Sequence, residues 1–306
     1  MLHYLKMVNN MILTKKAGVF ALALMLCEFA SAFIVSSFNI DNLALDMCLT
    51  YGLGFGLPAL IFLKLTKSRV KETLFIQPMN IFNFILVILI TFAIQPCIYF
   101  LSGISALVFS NTVSEALDKL SGYGIVPLMI CLAVFPAVFE EICYRGIIFS
   151  GYGNVNIKKA AVVCGFLFAI AHLSAQQFLY SFAMGIVFCV FVYYTKSIYS
   201  SMLSHFILNA LQVLSLKASV GVEAAEITVS MVAELGIFAI SSLPILALLF
   251  FAFVKINTVH ERILFVSNEN ILMHNPDKRF EEKALTWPVY VLTAIYILMA
   301  IVSPMI

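Results

Sequence analysis

The sequence predicts an all-α fold, a polytopic transmembrane bundle of about eight to nine membrane helices with its functional site inside the membrane. Of the 306 residues, 62% are hydrophobic and only 11% are charged, a composition far from that of soluble globular domains. Several uncharged runs approach the roughly 20 residues that an α-helix needs to cross a bilayer. These runs exclude a soluble protein with a large core, and we expect residues 1–306 to form a single membrane domain.

Nine segments are predicted to span the membrane, in chain order 17–38, 47–63, 79–110, 125–150, 158–173, 177–194, 198–216, 230–254 and 287–303. The first is interpreted as an uncleaved helix. Lysines precede it and Ala30-Ser31-Ala32 is similar to a signal-peptidase site, but Glu28 interrupts the apolar run and further apolar residues follow. Gln95-Pro96 predicts a kink in the third segment. Trp287-Pro288 begins the ninth, with Trp at the interface and Pro in the first turn.

Lysine and arginine are distributed unequally between the two predicted sides of the membrane. One side holds 16 of the 18, including Arg145 within the membrane, and the other holds only Lys119 and Lys217. The positive-inside rule therefore predicts a cytoplasmic N-terminus and, with nine spans, an outer C-terminus. On this topology the longest polar segment, 255–286, is a cytoplasmic loop. We expect a multi-pass integral protein of a bacterial plasma membrane.

Several other kinds of site are not predicted. The seven cysteines are odd in number, form no Cys-x-x-Cys pair and stand in or beside apolar runs, so we interpret them as small hydrophobic residues. Cys143 stands within an acidic motif, but neighbouring carboxylates would oppose a thiolate. Gly52, Gly54 and Gly56 are interpreted as helix-packing points, because no strand or lysine of a phosphate loop accompanies them. The absence of a basic, aromatic stripe argues against nucleic acid as a partner.

Three ionisable residues stand inside an apolar stretch at Glu140, Glu141 and Arg145. The sequence has no charge from Ile125 to Phe139 or from Gly146 to Phe149. A charged group at membrane depth costs roughly 2.5–3.5 kcal/mol on insertion scales unless it pairs or faces water. Glu141 and Arg145 are four residues apart and can pair on one helix face, whereas Glu140 points ~100° away. We therefore predict a structural Glu141–Arg145 ion pair and a free base at Glu140.

Two further helices bring polar groups into the membrane. His172 ends an apolar run, while His205 and Asn209 share one face of another helix. With a rise of 1.5 Å per residue, Glu140, His172, His205 and Asn209 lie roughly 15, 21, 10 and 16 Å from the cytoplasmic ends of their helices. We expect them to meet in one layer between the cytoplasmic face and the midplane. The remaining histidines stand in polar segments and are predicted to be solvated: His3, His260 and His274.

The three motifs resemble the signature of a known family. Glu140-Glu141-x-x-x-Arg145, Phe168-x-x-x-His172 and His205-x-x-x-Asn209 are similar, in order and separation, to the motifs of the CPBP (CAAX protease and bacteriocin-processing, Abi) family. This family includes the type II CAAX prenyl endopeptidases. The resemblance covers about a third of the chain, residues 125–215, which we interpret as the catalytic core helices.

The residues that precede His205 are also similar to a motif of this family. Residues 195–201 are similar to a Thr-Gly-Ser-Leu-Trp-x-Ser motif, with Lys196 and Tyr199 as departures.

The resemblance implies an intramembrane endopeptidase. Its substrate would be a membrane-associated protein or peptide in the lipid bilayer, either a lipidated CAAX-like C-terminus or a bacteriocin-like pro-peptide. Glu140 and His172 would activate water, and His205 and Asn209 would donate hydrogen bonds to the oxyanion. No cofactor is expected. Because the polar layer lies nearer the cytoplasmic side, substrate is expected to enter from that leaflet.

Alternative functions remain open. A zinc-dependent version of the same protease would use Glu140, His172 and His205 as three metal ligands, although the chain lacks His-Glu-x-x-His. A proton-coupled transporter uses the same residue types, but the sequence shows no pair of interrupted helices in two similar halves. The groups could also form a buried polar lock, as in a non-catalytic immunity scaffold, although the intact motifs argue against that reading.

Overall fold

All the secondary structure that the computed structural model describes is helical, which confirms the predicted polytopic helical bundle. The model describes residues 13–109, 120, 122–219, 227–267 and 283–302, with side chains except at 259–267 and 300–302. Within these ranges the long helices are α1 Thr14–Ser36, α2 Leu43–Thr66, α3 Ile81–Ala106, α4 Ile125–Ile148, α5 Ile157–Ala171, α6 Ala175–Thr195, α7 Ile198–Ala218, α8 Val229–Ser267 and α9 Trp287–Val302. Each coincides with one predicted segment.

Six of these helices are long and apolar enough to cross a membrane: α1, α2, α3, α4, α6 and the Val229–Thr258 part of α8. The other three fall short for different reasons. Helix α5 has only 15 residues, α9 is apolar over Trp287–Met299, and α7 carries several serines beside its histidine and asparagine. Much of α5 and α7 is buried against neighbouring helices. These two helices therefore do not need an apolar surface on every side.

Prolines accompany three of the places where the long helices depart from regular α geometry. Helix α3 breaks directly before Gln95-Pro96, as predicted. In α2 and α4, π-helical segments at Gly52–Gly56 and Ile130–Val134 end two residues before Pro58 and Pro136. A proline has no N–H, and its ring clashes with the carbonyl four residues earlier. A wider π turn accommodates both effects within a continuous helix.

Helix α8 is longer than predicted. It continues to Ser267, well beyond the predicted end at residue 254, so the first part of the predicted loop 255–286 is helical. Residues 268–282 of that loop lie outside the described residues. Asn257 and Asn83 exchange two amide hydrogen bonds of 2.8 Å each, and both side chains are buried. This pair ties α8 to α3 past the point where the apolar run ends.

Glycines allow α2 to approach α1 and α4 closely. A Cβ atom on Gly54 would lie 2.6 Å from Oγ of Ser31 in α1, and one on Gly56 would lie 3.2 Å from the ring of Phe139 in α4. The predicted packing role is confirmed for these two positions, whereas Gly52 faces open space. The close approach brings α1 and α2 against the turn of α4 that carries the acidic motif.

The buried apolar side chains form three clusters that surround α4 and α7. The first lies among α1, α4, α5 and α9, the second among α3, α6, α7 and α8, and the third joins α2, α4 and α7. The closest helix pair is α5 with α6, where a Cβ atom on Gly185 would lie 2.6 Å from Cα of Gly165. All seven cysteines carry free thiols. The polar residues of interest lie where these clusters meet.

Candidate active site

The acidic motif lies at a change in the geometry of α4. Residues Phe135–Glu141 are α-helical, and Ile142–Ile148 widen into a π-helix. Such segments are rare and recur at functional sites. Gly146 leaves room for Leu74 in this segment, since a Cβ atom would lie 2.5 Å from the end of the Leu74 side chain, which would have to move. The widened turn sets the direction of Arg145 relative to the two glutamates.

Glu141 and Arg145 form a buried ion pair. Nη1 of Arg145 donates to Oε1 of Glu141 at 2.8 Å, and the two side chains are 1% and 0% exposed. Nη2 donates to the carbonyl of Gly185 at 3.3 Å. The guanidinium also lies 4.1 Å from the ring centroid of Phe168 and 4.8 Å from that of Phe188. The predicted pairing is therefore present, and cation–π contacts add to it in a desolvated setting.

His205 joins the same carboxylate from α7. Its Nδ1 lies 2.9 Å from Oε1 of Glu141, and its ring stacks on that of Phe188 at 5.3 Å. A carboxylate only accepts, so Nδ1 carries the proton and donates. When the His205 ring is neutral, Nε2 therefore carries no proton and can only accept a hydrogen bond. Nε2 can donate only when the ring is a protonated imidazolium. Asn209 is half-buried one turn later, with no hydrogen bond to these groups in the described part of the chain.

The sequence did not predict this second partner of Glu141. We expected Glu141 to pair with Arg145 alone and His205 to be free to face substrate. The helix periodicity that places Arg145 beside Glu141 acts within α4, whereas the His205 contact depends on how α7 packs against α4. Spacing along the chain does not contain that information.

His172 occupies the C-cap of α5. The helix ends there because Leu173 takes a left-handed conformation with φ of 50°. Nδ1 of His172 lies 2.8 Å from the carbonyl oxygen of Phe168. A carbonyl can only accept, so Nδ1 donates and Nε2 of the neutral ring carries a free lone pair. His172 also interacts electrostatically with Glu140 and His205.

Glu140 points away from the Glu141 ion pair, as predicted, and faces α1 and α2. Its Oε1 accepts a long hydrogen bond of 3.4 Å from the hydroxyl of Tyr51. It also interacts electrostatically with Glu28. The two consecutive glutamates therefore occupy different environments. Glu141 is paired with the cation Arg145, whereas Glu140 interacts with the phenol of Tyr51, with the acid Glu28 and with His172.

Neither Glu28 nor Tyr51 was predicted as a site residue. For Glu28 the sequence contains a usable signal, since it is the lone charged residue between positions 17 and 40. An ionisable residue inside a membrane segment is a functional candidate by default. Tyr51 carries no comparable signal, because a tyrosine near the end of a membrane helix is ordinary.

The connection between α6 and α7 fixes the start of α7 and hence the position of His205. The backbone N–H of Ile198 donates to the carbonyl of Phe75 at 3.0 Å, and Oγ of Ser197 donates to that of Gln77 at 2.6 Å. Lys196 adopts a left-handed conformation with φ of 55°. Glycine, which the family-like motif has at this position, takes that conformation without strain. Lys196 therefore departs from the motif in residue type but keeps the left-handed turn that glycine would form there.

The alternative zinc site would use donor atoms of Glu140, His172 and His205. Among the described residues, no three side chains of His, Cys, Asp and Glu are arranged to hold a metal ion. Zinc needs three donors about 2.0–2.2 Å from one point. Nδ1 of His205 is bonded to Glu141 and Nδ1 of His172 to a backbone carbonyl, which leaves Nε2 of each ring as the nitrogen that could bind a metal. Zinc binding by Glu140, His172 and His205 would therefore require these donor atoms to move together.

Of the remaining predicted sites, three histidines were expected to be solvated. His3 and His274 lie outside the described residues, and so does the side chain of His260. Cys143 is fully buried, and its thiol lies 3.7 Å from the carbonyl of Phe55. This burial agrees with its interpretation as a small hydrophobic residue.

An apolar groove of about 690 Å³ adjoins the acidic motif. It begins at Phe139 and Ile142, which flank the two glutamates, and runs along α2 past Leu60. Lys64 and Lys67 stand at its other end. The groove therefore joins the neighbourhood of Glu140 to a cationic rim at the end of α2.

Comparison with known proteins agrees with the motifs. Residues 122–211 match the family model described as "Type II CAAX prenyl endopeptidase Rce1-like". A Bacillus subtilis (strain 168) protein described as "Putative membrane peptidase YdiL" is 32% identical over 91 residues, which are 29% of this chain and 37% of that protein. The resemblance to the CPBP family is confirmed. The match spans little more than a third of the relative's length, and no solved structure matches.

Some residues of the candidate site lie inside the segment that matches the family, and others lie outside it. The matched residues, 122–211, contain every residue that the motifs predicted, from Glu140 to Asn209. Glu28 and Tyr51 lie outside it. So does most of the groove, which is lined mainly by residues of α2. The chain therefore surrounds a CPBP-like core with helices that reach into the site.

Proposed function

We propose that the protein is an intramembrane endopeptidase of the CPBP type, which hydrolyses a peptide bond of a membrane-associated protein or peptide. One observation carries this proposal: Glu140 and His172 are close enough to interact electrostatically, and Nδ1 of His172 lies 2.8 Å from the carbonyl oxygen of Phe168, which leaves its Nε2 to accept a proton. A carboxylate and an imidazole lone pair at one position are the groups that general-base activation of water requires. The segment that supplies them matches the family, and the B. subtilis relative is described as a membrane peptidase.

In the proposed reaction a water molecule lies between Glu140 and Nε2 of His172. As its oxygen bonds to the scissile carbonyl carbon, its proton passes to Glu140 and the carbonyl π electrons move to the carbonyl oxygen. The tetrahedral intermediate then collapses, the C–N bond breaks, and the proton passes to the leaving nitrogen. The products are a carboxylic acid and an amine, and no side-chain nucleophile or cofactor takes part in these steps.

Stabilisation of the oxyanion is assigned to α7. The amide of Asn209 donates in its only protonation state, and a good donor contributes roughly 2.7–4 kcal/mol. His205 donates from Nε2 only as the imidazolium, because its Nδ1–H is committed to Glu141. Arg145 in turn lies 2.8 Å from Glu141 and holds that carboxylate in place. The ion pair thus supports the reaction through His205 without contacting substrate.

The groove along α2 supports a substrate with an apolar segment. Its apolar wall begins beside the acidic motif, and its rim carries Lys64 and Lys67. These lysines belong to the side that the charge distribution assigns to the cytoplasm. We infer that the substrate lies in the groove with its apolar part and reaches Glu140 from that side. A lipidated C-terminus and a membrane-bound pro-peptide both fit this description.

The proposal is tested by comparing peptide termini in membranes from cells that carry the wild-type chain, Glu140→Gln or Glu72→Gln. Glu72 is an exposed partner of Arg69, far in sequence from the matched segment, and serves as the matched control. We expect new termini in wild-type and Glu72→Gln membranes that are absent with Glu140→Gln. Removing a general base lowers the rate by about 10²–10⁴-fold.

Candidate substrates from that comparison are then cleaved in vitro by the purified chain. Identical termini in all three samples would refute the peptidase assignment. A proton-dependent solute flux that Glu140→Gln abolishes would then favour the transporter.

A further inference from the structure

We propose that Glu28 of α1 is a further residue of the site, a neutral carboxylic acid that positions Glu140 together with the hydroxyl of Tyr51. This inference deepens the proposed function and rests on it for the role of Glu140. The protonated state of Glu28, however, is testable without any activity. Glu28 acts through Glu140 and is therefore a positioning residue.

The first observation is that one carboxyl oxygen of Glu28 is buried and unpaired. The side chain as a whole is half-buried, but its Oε1 is inaccessible to solvent and has no hydrogen-bond partner among the described residues. A carboxylate with a buried, unpaired oxygen is costly, whereas a protonated carboxyl is far less costly and supplies a donor of its own. In the described part of the chain, no cation is found to interact with Glu28. The groups that face it are acids, phenols and a thiol: Glu140, Tyr51, Tyr144 and Cys143.

The second observation is that Glu28 and Glu140 act on one another. They interact directly, and both also interact with Tyr51. Two carboxylates that share a site of low dielectric constant do not both ionise at neutral pH. Oε1 of Glu140 accepts a hydrogen bond from the hydroxyl of Tyr51, whereas Oε1 of Glu28 has no hydrogen-bond partner among the described residues. We therefore assign the proton of the pair to Glu28.

The third observation is that the packing holds this group in place. Gly54 lets the backbone of α2 approach α1 at the turn of Glu28, where a Cβ atom would lie 3.4 Å from its Cα. The ring of Tyr51 stacks between those of Phe55 at 5.3 Å and Phe139 at 5.9 Å. These contacts fix Tyr51 between the two acids. A proton on Glu28 can then be donated toward Glu140, directly or through the Tyr51 hydroxyl.

Infrared spectroscopy tests the protonation state in the purified full-length chain in nanodiscs at neutral pH. The wild type should show the C=O stretching band of a protonated carboxyl, and Glu28→Gln should lose it. The matched control Glu72→Gln removes an exposed carboxylate that is paired with Arg69, so it should leave the band intact. The absence of a protonated-carboxyl band in the wild type would overturn the proposal even if no variant folds.

Kinetics test the positioning role through a pair of substitutions of similar size. Glu28→Gln keeps a neutral hydrogen-bonding side chain and should retain wild-type kcat. Glu28→Met keeps the length but no hydrogen bond, and should lower kcat by about tenfold with little change in KM. Equal loss in both variants would show that Glu28 acts as a charged carboxylate, and equal retention in both would show packing alone. Either result would overturn the proposal.

The two arms separate this inference from the proposed function. If the wild type cleaves nothing and behaves like Glu140→Gln, the peptidase proposal fails while the infrared band still decides the state of Glu28. If the wild type cleaves but Glu28→Gln leaves the band unchanged, the inference fails and the peptidase proposal stands.

Discussion

Replacing Arg145 by methionine probes the buried network most directly, because the structure gives each contact that is lost. The change removes the 2.8 Å ion pair with Glu141, the hydrogen bond to Gly185 and two aromatic contacts. It leaves a buried carboxylate with the Nδ1–H of His205 as a remaining donor. Removing one partner of a buried ion pair costs about 3–5 kcal/mol. We expect Arg145→Met to lose that much free energy of unfolding.

Replacing the other partner, Glu141, by glutamine should lower the free energy of unfolding by less than Arg145→Met does. Glu141→Gln leaves the guanidinium buried, but Arg145 keeps its bond to Gly185 and its place over two rings, and a desolvated cation–π contact is worth about 2 kcal/mol. The double variant contains no unpaired charge, so it should be more stable than Arg145→Met alone. The coupling between the two substitutions should then be about 2–3 kcal/mol.

The assay is equilibrium unfolding in mixed micelles for the wild type, both single variants and the double variant. Arg69 and Glu72 supply the reference cycle, because they form an ion pair at 3.6 Å with side chains 57% and 62% exposed. Their coupling should stay below about 1 kcal/mol. Additive losses at positions 141 and 145, or a coupling no larger than that of the exposed pair, would refute the reasoning from burial.

Three further predictions concern the reaction and its surroundings. Asn209→Ala should reduce kcat by about 10²–10³-fold with little change in KM, since an oxyanion donor acts mainly in the transition state; a change confined to KM would contradict this role. Purified active protein should contain no stoichiometric zinc, and a chelator should not remove its activity; one zinc per chain, with activity restored by zinc, would overturn the metal-independent mechanism. Leu60→Trp in the groove should raise KM, whereas Leu65→Trp, exposed on the same helix but outside the groove, should not; equal KM values would exclude the groove as the substrate path.

Most of the fold could be predicted because its signals are local. Hydropathy runs gave all nine long helices, and Gln95-Pro96 gave the break in α3. The four-residue spacing of Glu141 and Arg145 gave their ion pair, and the angle between consecutive residues gave the separate direction of Glu140. Each of these features depends only on residues within one or two helical turns.

The features that the sequence did not predict depend mainly on how helices pack. Two π segments stand directly before prolines inside predicted spans, Pro58 and Pro136. Helix α8 continues beyond its apolar run, and Asn257 in that part forms a buried amide pair with α3 that no hydropathy window detects. The bond from His205 to Glu141 requires the register of α7 against α4. Glu28 is a lone charge in an apolar run, but its place near Tyr51 depends on how α1 packs against α2.

The electrostatic division of the site follows from these contacts. Nη1 of Arg145 and Nδ1 of His205 both lie within 3 Å of Oε1 of Glu141, so this carboxylate is held in a buried network by two groups from different helices. Glu140 has no cation within such a distance among the described residues, and its nearest polar partners are a phenol, an acid and the imidazole of His172. A base must be able to accept a proton and return it, and a carboxylate without a fixed counter-ion can do both. Two of those partners, Tyr51 and Glu28, come from α1 and α2, outside the segment that matches the family. In the proposed reaction the matched core would therefore supply Glu140 and His172, while α1 and α2 would supply further partners of Glu140 and most of the groove by which an apolar substrate approaches.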